Sequence, residues 1–232
     1  MTAPPEAPTR EPTNRATGWA AIASGIVGII SFGFLLAFIA YAVTQKMGDI
    51  KEFAEIPLVG RLLLKGSYVG SMLQALCMIP VLIAVHALGR LRSQKMSGTA
   101  TAVGMIGLIA VALLRAIILV NPKVSDILFI GPMGFVGAWL VMCNSLLRGV
   151  LSRGIRVTGM IVGVGFVIAS LSFFFLGGVA EFTHPGALGN DLVFHAGLWG
   201  GGIPAFLLYP VWAILLGRKL VRARDDGTTP SV

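Results

Sequence analysis

Six long apolar segments dominate the sequence and restrict the fold more than any other feature. They lie at about 19–44, 67–89, 98–120, 126–147, 157–180 and 192–217. Several run for more than about 18 residues without a charge, which is enough to cross roughly 30 Å of hydrocarbon. Only 12% of the residues are charged, against about 25% in a soluble domain. The sequence therefore predicts an all-α membrane protein with six transmembrane helices and the lipid bilayer as its main partner.

The two ends of the chain differ in composition from the rest. Residues 1–18, "MTAPPEAPTREPTNRATG", are rich in Pro, Thr and charge, so we expect a disordered tail that cannot bury an apolar face. Residues 218–232 begin with a basic run and are expected to form a second polar tail. The predicted organisation is a transmembrane domain at 19–217 between two tails on the same side of the membrane.

Basic residues are distributed unevenly between the two sides of the membrane. With six crossings, the termini and the loops 90–97 and 148–156 share one side, which holds twelve basic residues: Arg10, Arg15, Arg90, Arg92, Lys95, Arg148, Arg153, Arg156, Arg218, Lys219, Arg222 and Arg224. The other side holds five: Lys46, Lys51, Arg61, Lys65 and Lys123. Because Lys and Arg collect in cytoplasmic loops, the sequence predicts that both termini are cytoplasmic.

Similar short stretches recur along the chain and suggest three helical hairpins. Arg-x-Thr-Gly precedes the first segment at Arg15 and the fifth at Arg156. The second, fourth and sixth segments end in "LGRLR", "LLRGVL" and "LGRKL". A threefold hairpin repeat explains this pattern, and so do shared needs for small packing residues and basic loops. The longest outer connection, 45–66, is expected to be either a short helix in the interface or a structured loop.

The short basic inner loops and the ending "YPVWAILLGRKL" carry a resemblance to known families. In these features the chain resembles uncharacterised six-helix bacterial integral membrane families of unknown function. The resemblance covers most of the chain and implies a bacterial origin, and hence the cytoplasmic (inner) membrane. It carries over no catalytic residue.

The stretch "EFTHPGALGNDLVFH" at 181–195 concentrates polar side chains between the last two segments. Glu181 and His184 are spaced i, i+3, and Asp191 and His195 are spaced i, i+4, so each pair can share a helix face. Imidazole and carboxylate groups at these spacings suit zinc or acid–base chemistry. A solvated turn around Pro185 is the interpretation that we favour, because every outer loop needs polar residues.

Two polar residues inside apolar segments lie at a depth similar to that of His195. Arg115 lies about six residues, Gln74 about seven and His195 about four from the predicted outer ends of their helices, or roughly 6–11 Å at ~1.5 Å per residue. A charge at such a depth usually faces a cavity or a partner. We expect Arg115, Gln74, Glu181, Asp191 and His195 to line one outward-facing pocket. The alternative is that Arg115 extends along its helix to the headgroups.

The sequence lacks the motifs that are typical of several classes of function. No nucleic-acid motif accompanies the net charge of +8, which we attribute to membrane topology, so no nucleic-acid partner is expected. We expect a non-enzymatic membrane protein without a cofactor that binds or carries a small apolar or amphiphilic ligand, or serves as a partner subunit. A homo-oligomer is compatible with this interpretation. The alternative is a metal-dependent hydrolase that acts on lipid from the outer side, with zinc held by the 181–195 residues.

Overall fold

The computed structural model describes residues 13–45, 56–175 and 196–225. The helices are α1 (Thr13–Thr44), α2 (Leu58–Gly89), α3 (Gln94–Val120), α4 (Ile130–Leu146), α5 (Arg153–Phe175) and α6 (Ile203–Asp225). A 3₁₀ turn, Asp126–Phe129, leads into α4, and a π-helical turn, Leu198–Gly202, leads into α6. Six helical spans are long and apolar enough to cross a membrane, so the predicted all-α class with six spans is confirmed.

Three helix ends differ from the predicted boundaries. α1 begins at Thr13 and α6 ends at Asp225, so residues 13–18 and 218–225 are helical although the sequence predicted polar tails there. The reason is tertiary packing, since the start of α1 lies against the end of α6. α2 begins at Leu58, so residues 58–66 form neither an interface helix nor a loop. Leu64 anchors this part of α2 because it packs with Tyr68 and with Ile118 of α3.

The six helices form a closed ring. Each helix packs against the helices before and after it in the chain, and α6 packs against α1. Neighbours run antiparallel: Gly18 near the start of α1 lies against Val221, and Gly25 lies against Ile214, which comes earlier in α6. The packing does not divide the ring into three separate hairpins, because α4 and α5 pack as closely as the helices within each predicted hairpin. The threefold repeat stays a prediction.

Glycines set the distance between α4 and α5 and between α1 and α6. A Cβ atom at Gly137 would lie 2.5 Å from the carbonyl oxygen of Gly163. A Cβ atom at Gly217 would lie 2.5 Å from the carbonyl oxygen of Gly18. In both places two backbones touch, an approach that only glycine permits and that is typical of helix pairs in membranes.

The two ends of the ring differ in charge. We call the end at which α1 begins and α6 ends the basic end, and the other the opposite end. The described basic residues at the basic end are Arg15, Arg90, Arg92, Lys95, Arg148, Arg153, Arg156, Arg218, Lys219, Arg222 and Arg224. Two of them satisfy carbonyl groups where α4 ends: Arg92 Nη1 donates to the Arg148 carbonyl at 2.7 Å, and Arg156 Nε donates to the Asn144 carbonyl at 3.0 Å.

The interior and exterior of the ring are both apolar. Near the basic end the interior is filled by Trp139 and Trp212, which meet edge to face with ring centroids 6.0 Å apart. The exterior exposes large apolar side chains such as Ile106 and Ile161 on every face. An exterior of this kind suits hydrocarbon and would aggregate in water. The ring is therefore built to be surrounded by lipid.

Candidate ligand-binding cavity

Arg115 lies inside the ring. α3 presents Leu108, Val111 and Arg115 at positions i, i+3 and i+7, which share one helix face, and that face points inward. The side chain of Arg115 is only 6% exposed. This burial agrees with a charge that faces the bundle and not with one that extends along the lipid surface. From the sequence we also expect Arg115 to pair with Glu181 or Asp191, and both acids lie outside the described part of the chain.

Aromatic rings surround the Arg115 guanidinium. Its Cζ atom lies 3.6 Å from the ring centroid of Phe129 and 5.0 Å from that of Tyr68. A cation over an aromatic face is stabilised by the ring quadrupole, and more so away from water, by ~2 kcal/mol or more. Phe129 belongs to the 3₁₀ turn before α4, so this turn positions the ring. No sequence pattern indicates this contact, because residues 68, 115 and 129 are far apart in the chain.

Gln74 lies on α2 at the seam with α1. The side chain rests against Gly28, where a Cβ atom would collide with the amide group. The Ser24 hydroxyl donates to the main-chain carbonyl of Gln74 at 3.1 Å, and the Ser31 hydroxyl donates to the main-chain carbonyl of Ser67 at 2.8 Å. These bonds fix α1 against α2. The Gln74 Nε2 atom is buried, and no described residue forms a hydrogen bond with it.

Tyr209 on α6 is a functional candidate that sequence reasoning missed. Its ring stacks on Trp212 at a centroid distance of 6.0 Å and meets Phe166 edge to face at 5.6 Å. The residue is 4% exposed, and its hydroxyl group forms no hydrogen bond with any described residue. A buried tyrosine hydroxyl normally finds a partner. The one sequence signal near it is its position before Pro210 in "YPVW".

Arg115, Gln74 and Tyr209 line a single cavity of about 420 Å³. It lies within the ring, between the aromatic core and the opposite end, and α1, α2, α3, α4, α6 and the two turns contribute to its wall. The polar lining residues are Ser31, Ser67, Ser71, Gln74, Arg115 and Tyr209. The apolar lining residues are Phe32, Leu35, Leu36, Ile39, Ala75, Leu108, Val111, Ile127, Phe129, Ile130, Met133, Val136, Leu198, Ile203 and Phe206, with Gly28 beside them. Size and composition match small-molecule sites, which are mostly apolar with a few placed polar groups.

The structure brings together two of the residues that the sequence assigned to a pocket. Arg115 and Gln74 share the cavity. Glu181, His184, Asp191 and His195 lie outside the described residues, so their place in a pocket or a metal site stays a prediction. Across 13–45, 56–175 and 196–225, no group of three His, Cys, Asp or Glu side chains could hold a metal ion.

The described lining can bind but has few means to catalyse. It contains a guanidinium, an amide, a phenol and three serine hydroxyls, and among these described residues there is neither a carboxylate nor an imidazole to activate a serine. Two of the serines also bond to main-chain carbonyls, Ser31 to Ser67 and Ser71 to Tyr68. A mainly apolar space with a few hydrogen-bond donors is suited to an amphiphile that carries an oxygen acceptor. Comparisons of the chain with models of protein families, with curated proteins and with solved structures give no match.

Proposed function

We propose that this protein binds or carries a small amphiphilic molecule within the membrane. The observation that carries the proposal is a cavity of about 420 Å³ with a mainly apolar wall, lined by Gln74 and Tyr209, whose buried Nε2 and Oη atoms no described residue satisfies. A buried polar atom without a partner costs about 1–3 kcal/mol. A ligand with an oxygen acceptor would remove that penalty while its apolar part fills the rest of the space.

We infer further that the protein lies in a bacterial cytoplasmic membrane with the basic end in the cytoplasm. Eleven described Lys and Arg residues lie at the basic end, whereas Arg61, Lys65 and Lys123 lie at the opposite end. This asymmetry favours cytoplasmic termini. The cavity then belongs to the outer half of the bilayer. The bacterial assignment rests on the resemblance to six-helix bacterial families.

Filling the cavity tests the proposed function. Val111 is buried on α3 and lines the cavity, whereas Leu113 on the same helix is 57% exposed and faces lipid. We expect Val111→Phe to abolish binding of a fluorescent twelve-carbon fatty acid by protein in nanodiscs, because the new ring occupies the ligand's space. Leu113→Phe adds the same ring outside the cavity and should bind as the unchanged protein does. Equal binding by both folded variants would contradict the proposal.

Removing the two buried donors tests whether the polar atoms hold the ligand. Gln74→Leu and Tyr209→Phe keep most of the side-chain volume and delete the hydrogen-bonding atom. Since one neutral hydrogen bond contributes about 0.5–1.5 kcal/mol, each variant should bind the fatty acid about 2- to 12-fold more weakly. Dodecane competes with the fatty acid through its apolar chain alone, so the inhibition constant of dodecane should be the same in all variants. Unchanged affinity for the fatty acid in both variants would leave the polar atoms without a role.

The alternative function, a metal-dependent lipid hydrolase, depends on Glu181, His184, Asp191 and His195. No observation on the described residues favours it over binding. Elemental analysis of purified protein separates the two functions: stoichiometric zinc that is lost in a His184→Ala, His195→Ala double variant would support the hydrolase.

A further inference from the structure

The seam between α1 and α6 changes along its length. Toward the basic end the two helices touch: a Cβ atom at Gly18 would lie 3.0 Å from the Gly217 carbonyl oxygen, and one at Gly25 would lie 2.6 Å from the Pro210 carbonyl oxygen. These contacts fall at residues 18–25 of α1 and 210–221 of α6. They close this part of the ring without space for a ligand.

Beyond Pro210, toward the opposite end, α6 packs against α5. A Cβ atom at Gly165 would lie 2.5 Å from the Gly201 carbonyl oxygen and 2.8 Å from the Ala205 Cβ atom. Gly202 meets Ala169 one turn further along α5. Toward the opposite end, Pro210 is the last residue of α6 in these glycine contacts with α1. Because proline has no N–H and its ring crowds the preceding turn, it bends a helix at this point. The π-helical turn Leu198–Gly202 is a second irregularity in the same half.

α1 stays with α2 over the same half of the membrane. A Cβ atom at Gly66 would lie 3.1 Å from the ring of Phe34, and one at Gly60 would lie 3.2 Å from the ring of Tyr41. In this half, α1 therefore packs against α2, while α6 packs against α5. The two helices that close the ring at the basic end have different partners toward the opposite end.

The wall of the cavity reaches the exterior at this part of α1. Leu36 and Ile39 line the cavity, yet they are 51% and 48% exposed. A residue that lines an internal space and is also half exposed marks the edge of an opening. By contrast, the α3–α4 seam is filled beside the cavity, where a Cβ atom at Gly107 would lie 2.8 Å from the Val136 amide nitrogen. The α4–α5 seam is filled by Gly137 against Gly163.

We propose that the cavity opens sideways into the bilayer between α1 and α6, and that its ligand is a single-chain lipid amphiphile that enters from the leaflet at the opposite end. This inference rests on the proposed function and names the source and class of its ligand. The edge of the opening is apolar at Leu36 and Ile39, so it suits an acyl chain. The polar atoms of Gln74 and Tyr209 lie deeper and receive the oxygen-bearing head group.

Labelling a cysteine inside the cavity tests the route of entry. Ser71 lines the cavity, and Ser71→Cys is nearly isosteric. The protein for this test also carries Cys77→Ala and Cys143→Ala, which remove the two native thiols, and it is reconstituted in permeabilised liposomes. One reagent is a maleimide on a dodecyl chain that partitions into the bilayer. The other is a charged, water-soluble methanethiosulfonate. We expect the first to modify residue 71 and the second to react far more slowly.

Bulky residues at the opening provide the second arm. Leu36→Trp with Ile39→Trp narrows the opening and should slow labelling by the dodecyl maleimide more than about tenfold. Ile26→Trp with Ile30→Trp is the matched control, since these α1 residues are similarly exposed and do not line the cavity. This control pair should leave the rate unchanged.

The outcomes separate this inference from the proposed function. Equal labelling by both reagents, with no effect of the Leu36 and Ile39 variants, would show entry from water; it would overturn the lateral opening and leave the binding function standing. If neither reagent modifies residue 71 in the folded protein, the cavity is inaccessible to ligands, and both proposals fail.

Discussion

The two halves of the ring share the same six helices but use their interior differently. In the basic half, Trp139 and Trp212 meet among other fully buried apolar side chains and fill the space. In the opposite half, the interior holds a cavity of about 420 Å³ and the buried polar atoms of Arg115, Gln74 and Tyr209. The comparison indicates that the filled half holds the helices in place, so that the other half can leave space for a ligand.

The largest expected effect comes from truncating the filled half. Trp139→Ala should lower the free energy of unfolding by about 3–5 kcal/mol, because it removes a fully packed ring and leaves a void. Phe206→Ala should have less than half this effect, since one side of Phe206 already faces the cavity. Denaturation with SDS in mixed micelles measures both. Equal losses of unfolding free energy in the two variants would show that the two halves do not differ in packing.

The next effect concerns Arg115. We expect Arg115→Leu to destabilise the protein by about 3 kcal/mol, because the predicted pairing would leave the carboxylate of Glu181 or Asp191 buried alone. Thermal unfolding in detergent of Arg115→Leu, of Glu181→Gln and Asp191→Asn, and of both Arg-plus-acid doubles measures the coupling. One double should lose less stability than its two single changes together. Additive losses in both doubles, or a more stable Arg115→Leu protein, would show that Arg115 does not pair with either acid.

The smallest effect compares two glycines. Gly137→Ala places a methyl group against the Gly163 backbone in a closed seam, where the obstacle cannot move, and should cost about 1–3 kcal/mol. Gly28→Ala meets only the side chain of Gln74, which can turn into the cavity, and should cost less. Gly154→Ala, with no atom within 4 Å of the new group, is the control. A larger loss for Gly28→Ala than for Gly137→Ala in thermal unfolding would indicate a rigid cavity wall.

Sequence patterns predicted the helices better than their ends. The position of α3 could be predicted because an apolar run of that length must cross the membrane. The start of α2 at Leu58 could not, since Arg61 and Lys65 argue for a loop, and the packing of Leu64 with Tyr68 and Ile118 is a tertiary contact. At the basic end, α1 and α6 extend for a similar reason, because Gly18 and Gly217 pack together.

The candidate site, like the helices, could be predicted only in part from the sequence. The placement of Arg115 and Gln74 at one depth followed from counting residues along helices, because the rise per residue is fixed. Tyr209 and Phe129 were missed because an aromatic residue in an apolar segment carries no local sign that its ring faces a cavity. Their role appears only when α6 and the 3₁₀ turn are placed beside α3.

By itself the sequence determined the class of the protein, the number of spans and the separation of basic residues between the two ends. These are properties of single segments, since apolarity, length and charge act on each helix independently of its neighbours. The tertiary structure decided that α6 closes the ring against α1, that Phe129 and Tyr68 surround Arg115, and that the closing helices have different partners around the cavity. These features depend on contacts between residues far apart in the chain, and the shape of those contacts is set by side-chain packing that no single segment contains.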